Sequence, residues 1–285
     1  MSNLADTIQK PLGAEFSAVM RDGLLTPKAK RLGGMESAGE IAEEMLAFSG
    51  PTRRLRLKRA AVSPLFPFQK SQQAAAEQYR IIRTKILHSL TKPKVVLVSS
   101  VSSGDGKTVT AINVAAALAL KQDASVLLID CDLRRPRISE ALGIPASPGL
   151  SDVLAGRAAV EAAVVQAEQF PNLFILPTTA AEDDGAELLD SARWPSLLKQ
   201  ARAQFSHVIC DAPPVASVAD YELLQMSCDS LILVARPGHT DRSAFLAALE
   251  NIAPARLLGV VLNDVQDWFL WKTPAYGYSY GNKPE

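Results

Sequence analysis

The sequence is short of aromatic residues, which make up 6% of its 285 positions, and it has three cysteines and no net charge, 30 Lys and Arg balancing 30 Asp and Glu. Each shortage excludes something. Cys131, Cys210 and Cys228 are odd in number and lack ligand-like spacing, which argues against a disulfide scaffold or a zinc module. Cys131 and Cys210 fall inside apolar strand-like segments, so reduced core thiols in a cytoplasm are expected. Zero net charge argues against a globally basic nucleic-acid binder. No apolar run approaches the ~18–20 residues that span a bilayer. The longest, residues 111–120, is interrupted by Asn113. The opening Met-Ser-Asn-Leu-Ala-Asp lacks the cationic start and apolar stretch of a secretory signal. With 48% apolar and 21% charged residues, the chain can build a sizeable core, and its length predicts one to two domains.

The charge balance conceals an asymmetry. Residues 1–90 carry 14 Lys/Arg against 8 Asp/Glu, a net of +6, and the remainder carries 16 against 22, a net of −6. A basic run, Arg53-Arg54-Leu55-Arg56-Leu57-Lys58-Arg59, reads as a solvated, mobile segment, or as one that adheres weakly to anionic lipid or an acidic partner. Pro64 and Pro67 follow it and read as a linker. Further upstream, residues 37–48 have the spacing of a short helix.

From residue 71 the pattern becomes regular. A helix is predicted over 71–90. Continuous apolar runs at 95–99, 126–130, 173–176, 207–211, 231–234 and 259–263 read as strands covered on both faces. Helical patterns over 107–120, 186–204, 219–226 and 242–252 lie between most of them. Strands alternating with helices predict an α/β fold with a parallel sheet and helices on both faces.

The first strand runs into Ser99-Ser100-Val101-Ser102-Ser103-Gly104-Asp105-Gly106-Lys107-Thr108, and a helix opens at once. This is the strand–loop–helix context of a phosphate-binding P-loop, although Val101 stands where the strict pattern has glycine. Small residues let successive N–H groups point inward, and the helix N-terminus adds its positive dipole end. Lys107 can reach the β/γ-phosphates and Thr108 can ligate Mg²⁺. The second strand ends in Asp130-Cys131-Asp132. Two carboxylates at the carboxyl end of a parallel strand repel unless a cation sits between them. A third strand closes on Asp211, followed by Ala212-Pro213-Pro214, the arrangement of a Walker-B aspartate. ATP and Mg²⁺ are the expected ligands.

Gly104-Asp105-Gly106-Lys107-Thr108, Asp130-Cys131-Asp132-Leu133-Arg134 and Asp211-Ala212-Pro213-Pro214 resemble the Walker A, A′ and B motifs of bacterial tyrosine kinases (BY-kinases) of capsule and exopolysaccharide synthesis. The resemblance covers about residues 71–285. Gly149-Leu150-Ser151-Asp152-Val153-Leu154 and Glu187-Leu188-Leu189 also look like family landmarks. The loop before Glu187, usually rich in Pro and Asn, departs from the family pattern. Related partitioning and division-site ATPases carry a lysine where this chain has Ser102.

The resemblance implies a P-loop NTPase fold and a protein-tyrosine autokinase. It assigns nucleotide binding to Ser103, Gly104, Asp105, Gly106, Lys107, Thr108, Val109, Arg134 and Asn263, the last as the adenine reader. Mg²⁺ falls to Thr108, Asp132 and Asp211, and catalysis to Lys107, Asp130 and Asp132, with Asp130 taking or orienting the proton of the incoming hydroxyl. The tail Tyr276-Gly277-Tyr278-Ser279-Tyr280 holds three of the five tyrosines. The thirteen residues from Asn263 to Tyr276 span up to ~45 Å when extended, enough to enter a neighbour's site. Tyr276, Tyr278 and Tyr280 are therefore the expected phosphoacceptors.

Glu77, Arg80 and Arg83 share one helix face and are similar to the family's oligomerisation motif, implying a ring. The domain expectation is a poorly ordered or small helical extension over 1–70, a P-loop tyrosine kinase domain over 71–263, and a flexible tail over 264–285. The resemblance further implies a separate membrane activator of the chain-length-determinant kind, a cognate tyrosine phosphatase, and a cytoplasmic location at the inner membrane through that partner. The rival readings are a nucleotide-switched positioning ATPase and a catalytically idle ATP-binding scaffold.

Overall fold

The computed structural model describes residues 53–57, 73–144, 147–178, 181–182, 184–215 and 219–265. The helix expected at 37–48 and the tyrosine tail lie outside them. Among the described residues, eight strands form one sheet: β1 (Arg53–Leu55), β2 (Val95–Ser100), β3 (Val126–Asp130), β4 (Val165–Ala167), β5 (Leu173–Leu176), β6 (His207–Asp211), β7 (Ser230–Ala235) and β8 (Leu257–Leu262). Their order is β1-β4-β5-β3-β6-β2-β7-β8. Every neighbouring pair is parallel except β4 and β5.

Every residue of β2, β3 and β7 is buried, because helices cover both faces of the sheet. Alternate side chains feed two cores. On one face, Leu97, Leu127, Ile129, Val208 and Leu233 pack with Trp194, Leu197, Tyr221 and Phe245. On the other, Val96, Val98, Leu128, Ile209 and Val234 pack with Ile86, Ile112, Val114 and Leu118. These residues come from α1 (Gln73–Leu87) and α2 (Lys107–Ala119) on the second face, and from α7 (Arg193–Gln204), α8 (Ala219–Ser227) and α9 (Arg242–Glu250) on the first. Helix α2 is apolar almost all round because it is buried along nearly its whole length. All three cysteines are free and buried.

Shorter helices complete the chain: α3 (Ile138–Leu142), α4 (Leu150–Leu154), α5 (Val160–Ala163) and α6 (Gly185–Asp190). Helices α3, α4 and α5 are too short to leave a helical period in the sequence reading, and three further elements differ from it. The single helix expected over 186–204 is two, α6 and α7. Pro195 has no N–H for the carbonyl of Ser191, so a continuous helix cannot pass; Pro195 sits in the first turn of α7 instead. Strand β4 is three residues long, too short to leave a period. The basic run, read as a solvated, mobile segment or a weakly adhesive one, contributes β1, paired along Arg53↔Val165 to Leu55↔Ala167. Leu57 is buried, and β1 lies within the segment assigned to the N-terminal extension. What seats the strand is a long-range pairing, to which its local charge is indifferent.

Candidate active site

The carboxyl ends of β2, β3, β6 and β7 meet on one rim, where open α/β sheets bind ligands. The P-loop leaves β2 and enters α2 through Gly106, whose φ of +97° closes the turn. Gly104, also left-handed at φ +91°, lies within the loop. A Cβ on Gly106 would stand 1.8 Å from the Asn263 Nδ2. Glycine is required there both by backbone conformation and by the close approach of another segment.

Strands β3 and β6 are in register at Asp130↔Asp211, which places the two carboxylates side by side. Lys107 Nζ lies 2.7 Å from Asp132 Oδ2 and 3.8 Å from Asp211 Oδ1. Asp130 and Asp211 are fully buried, and Asp132 nearly so. The Arg137 and Ile138 N–H groups donate to Asp130 Oδ2 at 3.1 and 3.0 Å. The Arg135 N–H donates to Asp132 Oδ1 at 3.0 Å. The Thr178 hydroxyl donates to the Asp130 carbonyl, holding the strand end.

Charge crowding in a dry site sets the protonation. Burial pushes Asp130 well above the usual carboxylate range, and the neighbouring Asp211 adds to it. Burial raises Asp211 to about 6, against the pull of Lys107 and the nearby Thr108 hydroxyl. Burial alone would lower Lys107, but Asp211 and Asp132 outweigh it and hold the ammonium above its ordinary value. The lysine stays charged.

Both oxygens of Asp211 and Oδ1 of Asp130 are buried without a hydrogen bond of normal geometry. Buried carboxylate oxygens demand a donor or a cation. Among the described residues no three His, Cys, Asp or Glu side chains group as a metal site on their own. A divalent ion would therefore complete its shell with Thr108, water and phosphate oxygens, which suits Mg²⁺ carried by a nucleotide. The residues fit that pair.

Several sequence-predicted residues hold places that their spacing did not reveal. The Asp105 side chain is a buried staple: it accepts the Ser102 N–H at 2.7 Å and the Thr240 hydroxyl at 2.7 Å, and its Oδ1 lies 2.9 Å from His239 Nδ1. Only its backbone is left to face phosphate. Val109 turns into the core behind the loop. Ser103 and Gly104 are exposed at the loop's tip. Asn263 donates through Nδ2 to the Asp105 carbonyl at 2.9 Å, so the expected adenine reader rests on the P-loop.

Arg134, expected at the nucleotide, pairs with the buried Asp220 of α8 at 2.9 Å. Glu77 and Arg80 are exposed and pair with each other at 3.0 Å. Arg83 instead donates to the Ala117 carbonyl of α2 at 3.3 Å, so the three do not all point outward. Tyr276, Tyr278 and Tyr280 lie outside the described residues.

His239, Thr240 and Asp220 had no local signature. The one available hint was the position of His239 and Thr240 just past a strand's carboxyl end, where α/β sheets carry their sites.

Comparison with known proteins agrees with this geometry. Residues 93–252 match the AAA domain family. The chain is 37% identical over 212 residues to the tyrosine-protein kinase YwqD of Bacillus subtilis (strain 168), covering 73% of this chain and 87% of that protein. It is 30% identical over 214 residues to the tyrosine-protein kinase ptk of Acinetobacter johnsonii, covering 74% of this chain but 29% of that longer protein. The crystal structure of the VpsO kinase domain superposes with a TM-score of 0.60 at 31% identity, over 69% of this chain and 98% of that one. With three aspartates at two strand ends and a lysine gathered around a P-loop, and with these relatives, the chain belongs to the bacterial tyrosine kinase (BY-kinase) family.

Proposed function

We propose that this protein is an ATP-dependent protein-tyrosine autokinase whose phosphoacceptors are Tyr276, Tyr278 and Tyr280 of a neighbouring copy. The observation that carries the reading is the buried Lys107–Asp132–Asp211 cluster with its unpartnered carboxylate oxygens beside a P-loop. Phosphoryl transfer passes through a loose transition state, so alignment and charge neutralisation outweigh a strong base.

In this reading the P-loop N–H groups and the start of α2 cradle the phosphates of ATP. Lys107 remains an ammonium and stabilises charge developing on the transferred group. Thr108, Asp132 and Asp211 would hold Mg²⁺, which when bound neutralises phosphate charge. Asp130 keeps one oxygen free, and its raised affinity for a proton suits it to receive the tyrosine hydroxyl's proton at Oδ1. The Asp105 staple and Asn263 keep the loop in shape.

The domain limits follow the same reading: a kinase domain over about 71–263 and a substrate tail over 264–285, with β1 attached to the kinase sheet from outside those limits. Glu77 and Arg80 offer an exposed charged pair through which copies would assemble into a ring, with Arg83 bracing their helix against α2. Each phosphotyrosine adds about −1.5 to −2 charges near a body of net −6. Repulsion would then loosen the ring. Such a cycle would control exopolysaccharide or capsule polymerisation and export, driven by a membrane activator of the chain-length-determinant kind and reversed by a tyrosine phosphatase.

The test is intact mass after incubation with Mg·ATP and an activator. Wild type should gain mass in phosphate steps, Lys107→Met should gain none, and a Tyr276/Tyr278/Tyr280→Phe variant should lose the tail's share. ATP hydrolysis without mass gain in the wild type would discard the kinase reading.

A further inference from the structure

We propose that the edge of the sheet at β1 is a docking surface for an anionic lipid bilayer, so that the protein contacts the membrane directly as well as through a partner. Strand β1 ends the sheet order and pairs only with β4 among the described residues. Arg53, Arg54 and Arg56 on and beside it are all exposed. The exposed Glu168, whose N–H bonds to the Leu55 carbonyl, offsets part of this charge.

These arginines are not on a loose arm. Leu57 is buried and Leu55 packs against the same core. The Gln169 side chain grips Leu57 from both sides, accepting its N–H at 3.1 Å and donating to its carbonyl at 3.0 Å. Arg54 is steadied by a 2.9 Å hydrogen bond from Nε to Gln166 Oε1. The fold holds the cations in place before any partner arrives, which lowers the ordering cost of binding.

The chemistry favours a lipid surface over a peptide or a second copy. Side chains alternate along a strand, so Arg54 and Arg56 leave one face and Arg53 the other. They diverge from an edge and do not converge on one pocket, which suits a spread of headgroup charge. Arginines along an edge strand also discourage a further strand from pairing there. The acidic remainder of the chain, net −6 over 91–285, would be repelled by the same surface, and this fixes which side faces it. No described helix is long and apolar enough to cross a membrane, so the contact would be peripheral.

A cation near such a surface contributes about fivefold in partition, so removing three should weaken binding on the order of a hundredfold. The experiment is co-sedimentation of the full chain with phosphatidylcholine vesicles, with and without phosphatidylglycerol, at low and high salt. The expected result is binding to anionic vesicles alone, abolished by salt and by Arg53→Gln/Arg54→Gln/Arg56→Gln. Unchanged affinity for an ATP analogue shows that this variant is folded, because none of the three residues touches the nucleotide site. If it does not fold, the single Arg56→Gln variant replaces it, with a loss of about fivefold. Equal binding to neutral vesicles, no binding, or full binding by the variants overturns the proposal. So does loss of self-association in the triple variant with vesicle binding intact, which would give the surface to a second copy. Kinase activity is not part of the readout, so either reading can fail alone.

Discussion

Replacing Asp211 with asparagine should make the nucleotide-free protein more stable while removing its Mg²⁺-dependent binding of ATP. Asp211 is fully buried, and burial raises its carboxyl to about 6, against ~3.9 in an unfolded chain. Between those values the folded state holds a proton that the unfolded state has released. The stability that comes with that proton is complete below about pH 4 and is lost as pH rises through about 6. At pH 8 the ionised carboxylate therefore costs about 3 kcal/mol.

Asparagine removes the charge but leaves a buried amide to satisfy, at about 1–2 kcal/mol. The net gain is about 1–2 kcal/mol, or roughly 2–8 °C in melting temperature for a domain of this size. The assay is calorimetric melting of both proteins with chelator at pH 5 and pH 8, followed by titration with a non-hydrolysable ATP analogue and Mg²⁺. The variant should melt higher at pH 8, the gap should narrow at pH 5, and the Mg²⁺-dependent part of binding should vanish. Coincident melting of the two proteins at pH 8 would refute the reasoning, since the crowded charge would then carry no cost. A site that destabilises its own fold until a ligand arrives is the usual mark of function.

Three further outcomes follow from the geometry. Gly106→Ala must hold a left-handed φ, at about 1–2 kcal/mol, and must push Asn263 off the loop; calorimetric titration should show ATP-analogue affinity falling at least tenfold, about 1.4 kcal/mol. Asp105→Ala strands the Ser102 N–H, the Thr240 hydroxyl and His239, and urea unfolding should register a loss of about 1–3 kcal/mol, with a double-mutant cycle against Thr240→Val revealing non-additive coupling. Asp229 accepts Lys94 and Val95 N–H groups and a two-pronged bond from Arg202. Burial opposes the Asp229 charge, but these donors win and lower its pKa, so its stabilisation exists above the ordinary carboxylate range and is lost on acidification below it; Asp229→Asn should flatten the acid limb of the melting-temperature profile.

Much of the active site was legible because it is built from contiguous segments. The run through Gly106-Lys107-Thr108 carries its own backbone logic, and an aspartate closing an apolar strand announces a carboxyl-end carboxylate wherever the strand is placed. The central strands could be read to within a residue or two because burial on both faces leaves unbroken apolar runs. Strand β1 could not be read this way, since three arginines in four positions look like a solvated chain until Val165, Gln166 and Ala167 are brought alongside. The break between α6 and α7 was readable in principle from Pro195, but the apolar period on either side masked it. The partners of Asp105, Arg134 and Arg83 stayed out of reach for a common reason: a charged side chain near a motif shows no tertiary contact in its spacing until Thr240, Asp220 or Ala117 is brought alongside.

Local order alone determined that this chain alternates strand and helix, that a phosphate cradle opens the helix after the apolar strand at 95–99, and that acidic groups wait at three places along it. Hydrophobic periodicity and glycine's backbone freedom are properties of neighbours in the chain, so they survive without a fold. Only the tertiary structure decided that Asp130 stands beside Asp211, that Lys107 lies between Asp132 and Asp211, that Asn263 leans on the P-loop, and that a basic stretch is clamped into the sheet's edge. Those facts depend on strand order and on distances between residues up to 158 positions apart, and no spacing along the sequence encodes them.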